Sequence, residues 1–147
     1  MKKVAVTSTF PATIQVIWPL LTNIKTLQYI ASPLATFIPL SSDTTWRENT
    51  TLRFRLRIFG FIPMGVHTIH VRRFDSSAHI VQTEESNRWV PVWNHTILLE
   101  PSINDSVLYT DLIEIDAGWR STIVCIWSKW FYRHRQQKWR KLLRTLK

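Results

Sequence analysis

Leu52-Arg53-Phe54-Arg55-Leu56-Arg57-Ile58 alternates apolar and cationic side chains at every step. Successive side chains of an extended chain point to opposite sides, so Leu52, Phe54, Leu56 and Ile58 share one face while Arg53, Arg55 and Arg57 share the other. A helix would scatter both sets around its axis. The stretch lies within a period-two region from Thr45 to Ile62 and reads as a strand of an antiparallel sheet with one buried and one solvated face. Some other part of the chain must cover the apolar face.

Downstream, Gly60, Pro63 and Gly65 predict a turn and Val66 to Phe74 a returning strand, with Ile69 and Val71 opposite Thr68, His70 and Arg72. Asp75-Ser76-Ser77 reads as a turn, His79 to Glu84 as a strand, and Asn87 to Pro91 as a connection. Trp93 to Glu100 then aligns Trp93, His95, Ile97 and Leu99 on one face. Pro101 to Asp105 turns the chain again, and Val107 to Ile115 aligns Tyr109, Asp111, Ile113 and Ile115. Connections this short force antiparallel neighbours. Upstream, Lys3 to Thr9 reads as a first strand. Pro11 opens a helical pattern through Ile14, Ile17, Trp18 and Leu21, with Ser8 or Thr9 as candidate cap and Pro19 as its end or kink. A second short helix is expected from Ile24 to Tyr29, closing before Pro33.

The cover lies at the C-terminus. Residues 1–116 hold ten Lys/Arg and ten Asp/Glu, whereas residues 117–147 hold nine Lys/Arg and no carboxylate side chain, so the whole net charge of +9 belongs to one segment. From Gly118 onward that segment contains no Pro and no further Gly. Lys129, Arg133, Arg140, Arg144 and Lys147 recur at helical spacing along one face. Val124, Trp127, Phe131, Arg135, Lys138 and Leu142 form a second face, aromatic and apolar in its first half. The reading is one long helix with its apolar side on the sheet and its cationic side toward solvent. Because a sheet twists, its concave face meets such a helix fully over only part of its length, leaving space between them.

Composition sets the remaining bounds. A chain of 147 residues with 45% hydrophobic residues is expected to make a single domain, 1–147, with a real core. The lone Cys125 permits no intrachain disulfide and suits a reducing, cytoplasmic setting. No stretch reaches the ~18 uninterrupted apolar residues of a membrane span, and the N-terminal lysines are not followed by the apolar run of a signal peptide. His67 and His70 face opposite sides of a strand, and no zinc-ligand spacing is present, so no metal is expected. With three glycines and neither a P-loop nor a dinucleotide fingerprint, no cofactor is expected.

The segments Leu52–Arg57, Gly60–Gly65, Trp93-Asn94-His95, Tyr109–Gly118 and Phe131–Arg140, in this order of elements, resemble small bacterial members of the START-like superfamily. That group is also known as SRPBCC, Bet v 1-like or polyketide cyclase/dehydrase-like. The resemblance runs from about Val4 to Leu143. It implies an α+β helix-grip fold: a curved antiparallel sheet of six or seven strands around a long C-terminal helix, with one or two short helices after the first strand. It also implies a cavity for an apolar or amphipathic small molecule such as a lipid, sterol or polyketide. The superfamily includes binders and some cyclases, and its fold alone assigns no chemistry.

The candidate ligand-binding residues come from the alternation itself. Phe54, Leu56, Ile69, Val71, Trp93, Ile97 and Ile113 point inward from the sheet, and Trp127 and Phe131 from the helix. His95 and Asp111 lie on the same apolar faces of sequential strands, where the carboxylate can accept a proton from the imidazole. The expected role is non-catalytic binding, with no catalytic residue assigned. The alternative is a cyclase or dehydratase in which His95 and Asp111 act as an acid/base pair. Among partners, Lys129, Arg133, Arg140, Arg144 and Lys147 are candidates for peripheral contact with anionic lipid headgroups. A nucleic-acid surface is not expected, because the aromatics alternate inward, away from the charge. The oligomeric state is not legible in the sequence.

Overall fold

The computed structural model describes residues 1–146, and Lys147 lies outside the described residues. Six strands follow one another as a meander: β2 (Ala35–Pro39), β3 (Thr50–Ile58), β4 (Ile62–Asp75), β5 (Ile80–Ser86), β6 (Val92–Ser102) and β7 (Ser106–Asp116). With β1 (Lys2–Phe10) added beside β7, the sheet has the order β1-β7-β6-β5-β4-β3-β2, antiparallel throughout. Between β1 and β2 come α1 (Ile14–Leu21) and α2 (Ile24–Ala31), and the chain ends in α3 (Ser121–Thr145). This is the helix-grip arrangement.

The alternation seen in the sequence carries the inner face. Leu52, Phe54 and Leu56 of β3, Ile69 and Val71 of β4, Trp93, His95, Ile97 and Leu99 of β6, and Tyr109, Asp111, Ile113 and Ile115 of β7 are all buried. Arg53, Arg55 and Arg57 are exposed. Hairpin geometry fixes the register. The β3–β4 turn has positive φ at Phe59 (55°) and Gly60 (81°), and the β6–β7 turn at Asn104 and Asp105 (56° each), the pair of left-handed residues whose twist suits a two-strand connection.

Several local expectations are corrected. Pro63 and Gly65 belong to β4 and not to the turn, because the Phe59-Gly60 pair reverses the chain by itself. Pro63, which has no N–H to donate, sits opposite Arg57, and the register shifts between Arg55 and Arg57. The short edge strand β2 was not anticipated. It has five residues, one of them Pro39, and is defined by its pairing with β3, Phe37 opposite Leu56. Ser8 and Thr9 are part of β1, and the cap of α1 is Thr13, with Pro19 inside its last turn. Asn23 caps α2 by accepting a hydrogen bond from the Lys25 amide at 2.9 Å.

The long helix is also turned from its expected orientation. Its buried side comprises Ser121, Ser128, Phe131, Tyr132, Arg135, Gln136, Trp139 and Leu143, while Val124, Trp127, Lys138 and Leu142 are half-buried at the margin. Two polar residues explain the rotation. Gln136 Nε2 donates to the Val6 carbonyl oxygen at 2.8 Å and to Asp111 Oδ2 at 2.9 Å, and Ser128 Oγ donates back to the Cys125 carbonyl at 2.9 Å, so both tolerate full burial. The outer side is divided along its length. Ile123, Ile126 and Trp130 are exposed in the first half, and Lys129, Arg133, Lys141 and Arg144 form the cationic part, with Arg140 half-buried.

Candidate functional site

Between the concave face of the sheet, α2 and the first half of α3 lies a cavity of about 340 Å³. Ligand pockets for small molecules fall in the range of roughly 300–1,000 Å³. Leu56, Ile69, Trp93, His95, Ile97, Trp127 and Phe131 line it. Phe54, Val71, Asp111 and Ile113 are buried behind the wall without forming it. The aromatic side is ordered by ring contacts: Trp127 stacks on Phe131 at 4.7 Å and meets Trp93 edge-on at 6.3 Å.

The polar side is larger than the sequence suggested. His95 Nε2 donates to Asp111 Oδ1 at 2.6 Å, across β6 and β7. The two are not directly opposite, since His95 faces Ile113 and Asp111 faces Ile97; they meet along the diagonal. The other ring nitrogen of His95 points at Glu85 Oε2, 3.6 Å away. Glu85 in turn accepts from His67 Nε2 at 2.8 Å and from Thr83 Oγ1 at 2.7 Å, and Asn87 Nδ2 meets His67 Nδ1 at 3.0 Å. Tyr132 packs against His95 with ring centres 4.8 Å apart and accepts the indole N–H of Trp93 at 3.0 Å. His67, Thr83, Glu85, Asn87, Tyr132 and Arg135 all line the cavity, and none was among the expected site residues.

Burial opposes charge at each of these groups, and the partners decide the outcome. For His95, burial disfavours the imidazolium, but Asp111 and Glu85 outweigh it and its pKa lies above the ordinary value. Burial likewise opposes ionisation of Glu85, yet the imidazoles of His67 and His95 hold its carboxyl well below the usual carboxylate range. Burial raises the Tyr132 phenol, reinforced by Glu85, so it stays a neutral hydroxyl. The result is a hydrogen-bonded cluster of charged and neutral groups at the floor of an otherwise mostly apolar chamber.

Some of these residues had a signal. His67 shares the period-two face of Ile69 and Val71, and Glu85 continues the face of Val81 and Thr83 one residue past the expected end of the strand. Arg135 follows Phe131 by one helical turn.

The mouth of the cavity is apolar at its rim. Phe59, Ile62, Trp89 and Ile123 line it and are all exposed; Phe59 also lies 6.3 Å from Trp130, an exposed ring of α3 outside the lining. Trp119 is 83% exposed, with the Arg120 guanidinium 5.5 Å from its ring centre and 5.9 Å from that of Trp89. The membrane-surface candidates Lys129, Arg133 and Arg144 are exposed on the same side of the molecule's long helix, Arg140 partly so, and Lys147 lies outside the described residues. No helix among the described residues is long and apolar enough to cross a membrane.

Comparison with known structures places the architecture. Protein Ms6760 from Mycobacterium smegmatis superposes with a TM-score of 0.78 at 11% identity, over 99% of this chain and 92% of that one. A START superfamily protein from the same organism gives 0.74 at 13% identity, over 99% of both chains. Norcoclaurine synthase from Thalictrum flavum, in complex with dopamine and hydroxybenzaldehyde, gives 0.72 at 14% identity, over 99% of this chain and 88% of that one. No curated protein matches the chain in sequence. At such identities the likeness establishes the START/Bet v 1-like fold and nothing finer. Residues 8–144 match the family described as "Domain of unknown function (DUF8410)", and the chain belongs to that family, in a START/Bet v 1-like fold.

Proposed function

We propose that the protein binds an apolar or amphipathic small molecule in the cavity between the sheet and α3, and does not transform it. The observation that carries this reading is a space of about 340 Å³ walled mainly by Trp93, Trp127, Phe131, Leu56 and Ile69 with a compact polar cluster at its floor. Such a chamber gives area for burial and a few groups for orientation. A solved structure of the same fold holds dopamine and hydroxybenzaldehyde, which fits a small-molecule role without naming this guest. Native mass spectrometry of purified protein should show a bound guest, and titration with lipids, sterols or aromatic polyketides should quench tryptophan fluorescence saturably. Absence of both signals would remove the reading.

The same reading places the protein in the cytoplasm, on its single cysteine, and brings α3 to anionic membranes for loading. Support for the latter is the rim of Trp119, Ile123, Ile126 and Trp130 beside the cations Lys129 and Arg133, since indoles favour the headgroup region and each cation near an anionic surface adds ~1 kcal/mol. Cosedimentation with vesicles containing phosphatidylglycerol, but not with pure phosphatidylcholine, is expected, and loss of it in Ile126→Ser/Trp130→Ser. Equal recovery with both vesicle types would count against membrane loading.

A second reading has one specific observation behind it: His95, held by Asp111 at 2.6 Å, stands on the cavity wall. A carboxylate-oriented imidazole there is equipped to move a proton on a bound carbonyl compound. Exchange of an α-deuteron from a bound 1,3-dicarbonyl into water by the wild type, and not by His95→Gln, would favour an enzyme of the cyclase or dehydratase kind.

A further inference from the structure

Each oxygen of the two buried carboxylates of the site has a donor. Glu85 accepts from His67 and Thr83, and Asp111 from His95 and Gln136. The unfilled groups are donors. Trp46 Nε1, Arg120 Nε and Arg135 Nε are buried without an acceptor among the described residues, and all three residues line the cavity. The other two orphaned atoms, Tyr109 Oη and Trp139 Nε1, belong to one aromatic pair with ring centres 5.8 Å apart. Buried polar groups are nearly always paired, so unpaired donors on residues that line a cavity point to what that cavity lacks.

Arg135 is the sharpest case. Its residue is only 7% exposed, and its guanidinium rests on the rings of Tyr132 and Phe131, 5.0 and 5.8 Å from their centres. The buried ion pairs within 4.0 Å are those of His67 and His95 with Glu85 and of His95 with Asp111; Arg135 takes part in none among the described residues. Burial works against its charge, but the nearby phenols and carboxylates hold it cationic. A nearly buried guanidinium set on an aromatic shelf, without an oxygen partner among the described residues, is shaped to receive a planar or tetrahedral anion.

We propose that the guest is an amphipathic anion, with its apolar body against Trp93, Trp127 and Phe131 and a carboxylate or phosphate head group on Arg135. This deepens the binding reading above and rests on it. A neutral head group would leave the guanidinium without a direct anionic oxygen partner, whereas an ammonium head would meet Arg135 as a like charge.

The test uses four probes with the same ten-carbon tail: decanoate, decyl phosphate, 1-decanol and decylammonium. Each is titrated into the full chain, with dissociation constants from tryptophan quenching. The wild type should bind at least one anion ten-fold or more tighter than 1-decanol and bind decylammonium weakest, and the carboxylate and phosphate arms tell which head group is preferred. Arg135→Gln should lose the preference for the anion over 1-decanol, and Arg135→Lys should keep part of it. Equal wild-type affinity for 1-decanol and both anions would overturn the anion assignment while leaving the cavity reading intact. So would an anion preference undiminished in Arg135→Gln. Failure of all four probes to bind would remove both readings. The wild-type comparison stands by itself even where a variant fails to fold.

Discussion

The two ends of the interior are built from the same sheet and the same helix, yet one is filled and the other hollow. Near the C-terminal end of α3, Phe10, Tyr109 and Trp139 meet with ring centres 4.8 to 6.0 Å apart, packed with Ile17, Leu99 and Leu143; of these six, Trp139 alone also reaches the cavity wall. Near its start, Trp93, Trp127 and Phe131 are equally large but stand around a space of about 340 Å³. Residue size therefore does not decide which end closes. Rings touch one another at both ends, Trp127 stacking on Phe131 and meeting Trp93 edge-on at the hollow one, but there polar groups of β4, β5, β6 and α3 also face the gap. Stability should thus concentrate at one end and recognition at the other.

The strongest way to break that contrast is to truncate one tryptophan from each end. Trp139→Ala, at a fully buried site, should lose roughly 3–5 kcal/mol in urea denaturation. Trp127→Ala should lose about 1 kcal/mol, while weakening guest binding at least several-fold. Equal stability losses would mean that the hollow end is no less structural than the filled one. A smaller effect, about 2 kcal/mol, is expected for Asp111→Asn, which keeps an acceptor oxygen but removes the charge that His95 and Gln136 address. Little change in denaturant midpoint would show that the buried pair contributes nothing net.

The mildest effect is on pH dependence, and its sign follows from the linkage of protonation to folding. The folded pKa of His95 is raised, so its contribution is complete below the unfolded value of 6.5 and fades as pH rises through the folded one. That of Glu85 is lowered, so its contribution is complete above 4.5 and fades as pH falls. Stability should therefore be greatest between about 4.5 and 6.5 as judged from these two groups. His95→Gln should flatten the alkaline side of the profile and soften the acid side, since His95 shares with His67 the task of holding the Glu85 carboxyl down. A profile unchanged on the alkaline side would contradict the protonated state assigned to His95.

The contrast also separates what the chain declares locally from what it does not. Period two in β3, β6 and β7 is a local property, because burial on one face and water on the other repeat every second residue, and the inner faces of those strands were legible for that reason. His95 and Asp111 were found together because both continue that alternation. Gln136 was not recognised, and Arg135, though placed on the inward face of the helix, was not read as part of the site, since a polar side chain enters a buried helix face only where a distant acceptor or ring awaits it. For Gln136 that partner is Val6 on β1 and Asp111 on β7, more than a hundred and twenty-five residues back in one case. The edge strand β2 was missed on the same ground. Its five residues have little pattern of their own and owe their form to β3.

The contact between Phe59 and Trp130 has a kinetic consequence. It joins the β3–β4 hairpin to α3, and both side chains are about half exposed. Breaking and remaking it needs only rotamer changes, on the order of picoseconds to nanoseconds for exposed side chains, and no unravelling of either backbone. The hairpin and the helix can therefore part and meet again locally, uncoupled from global unfolding.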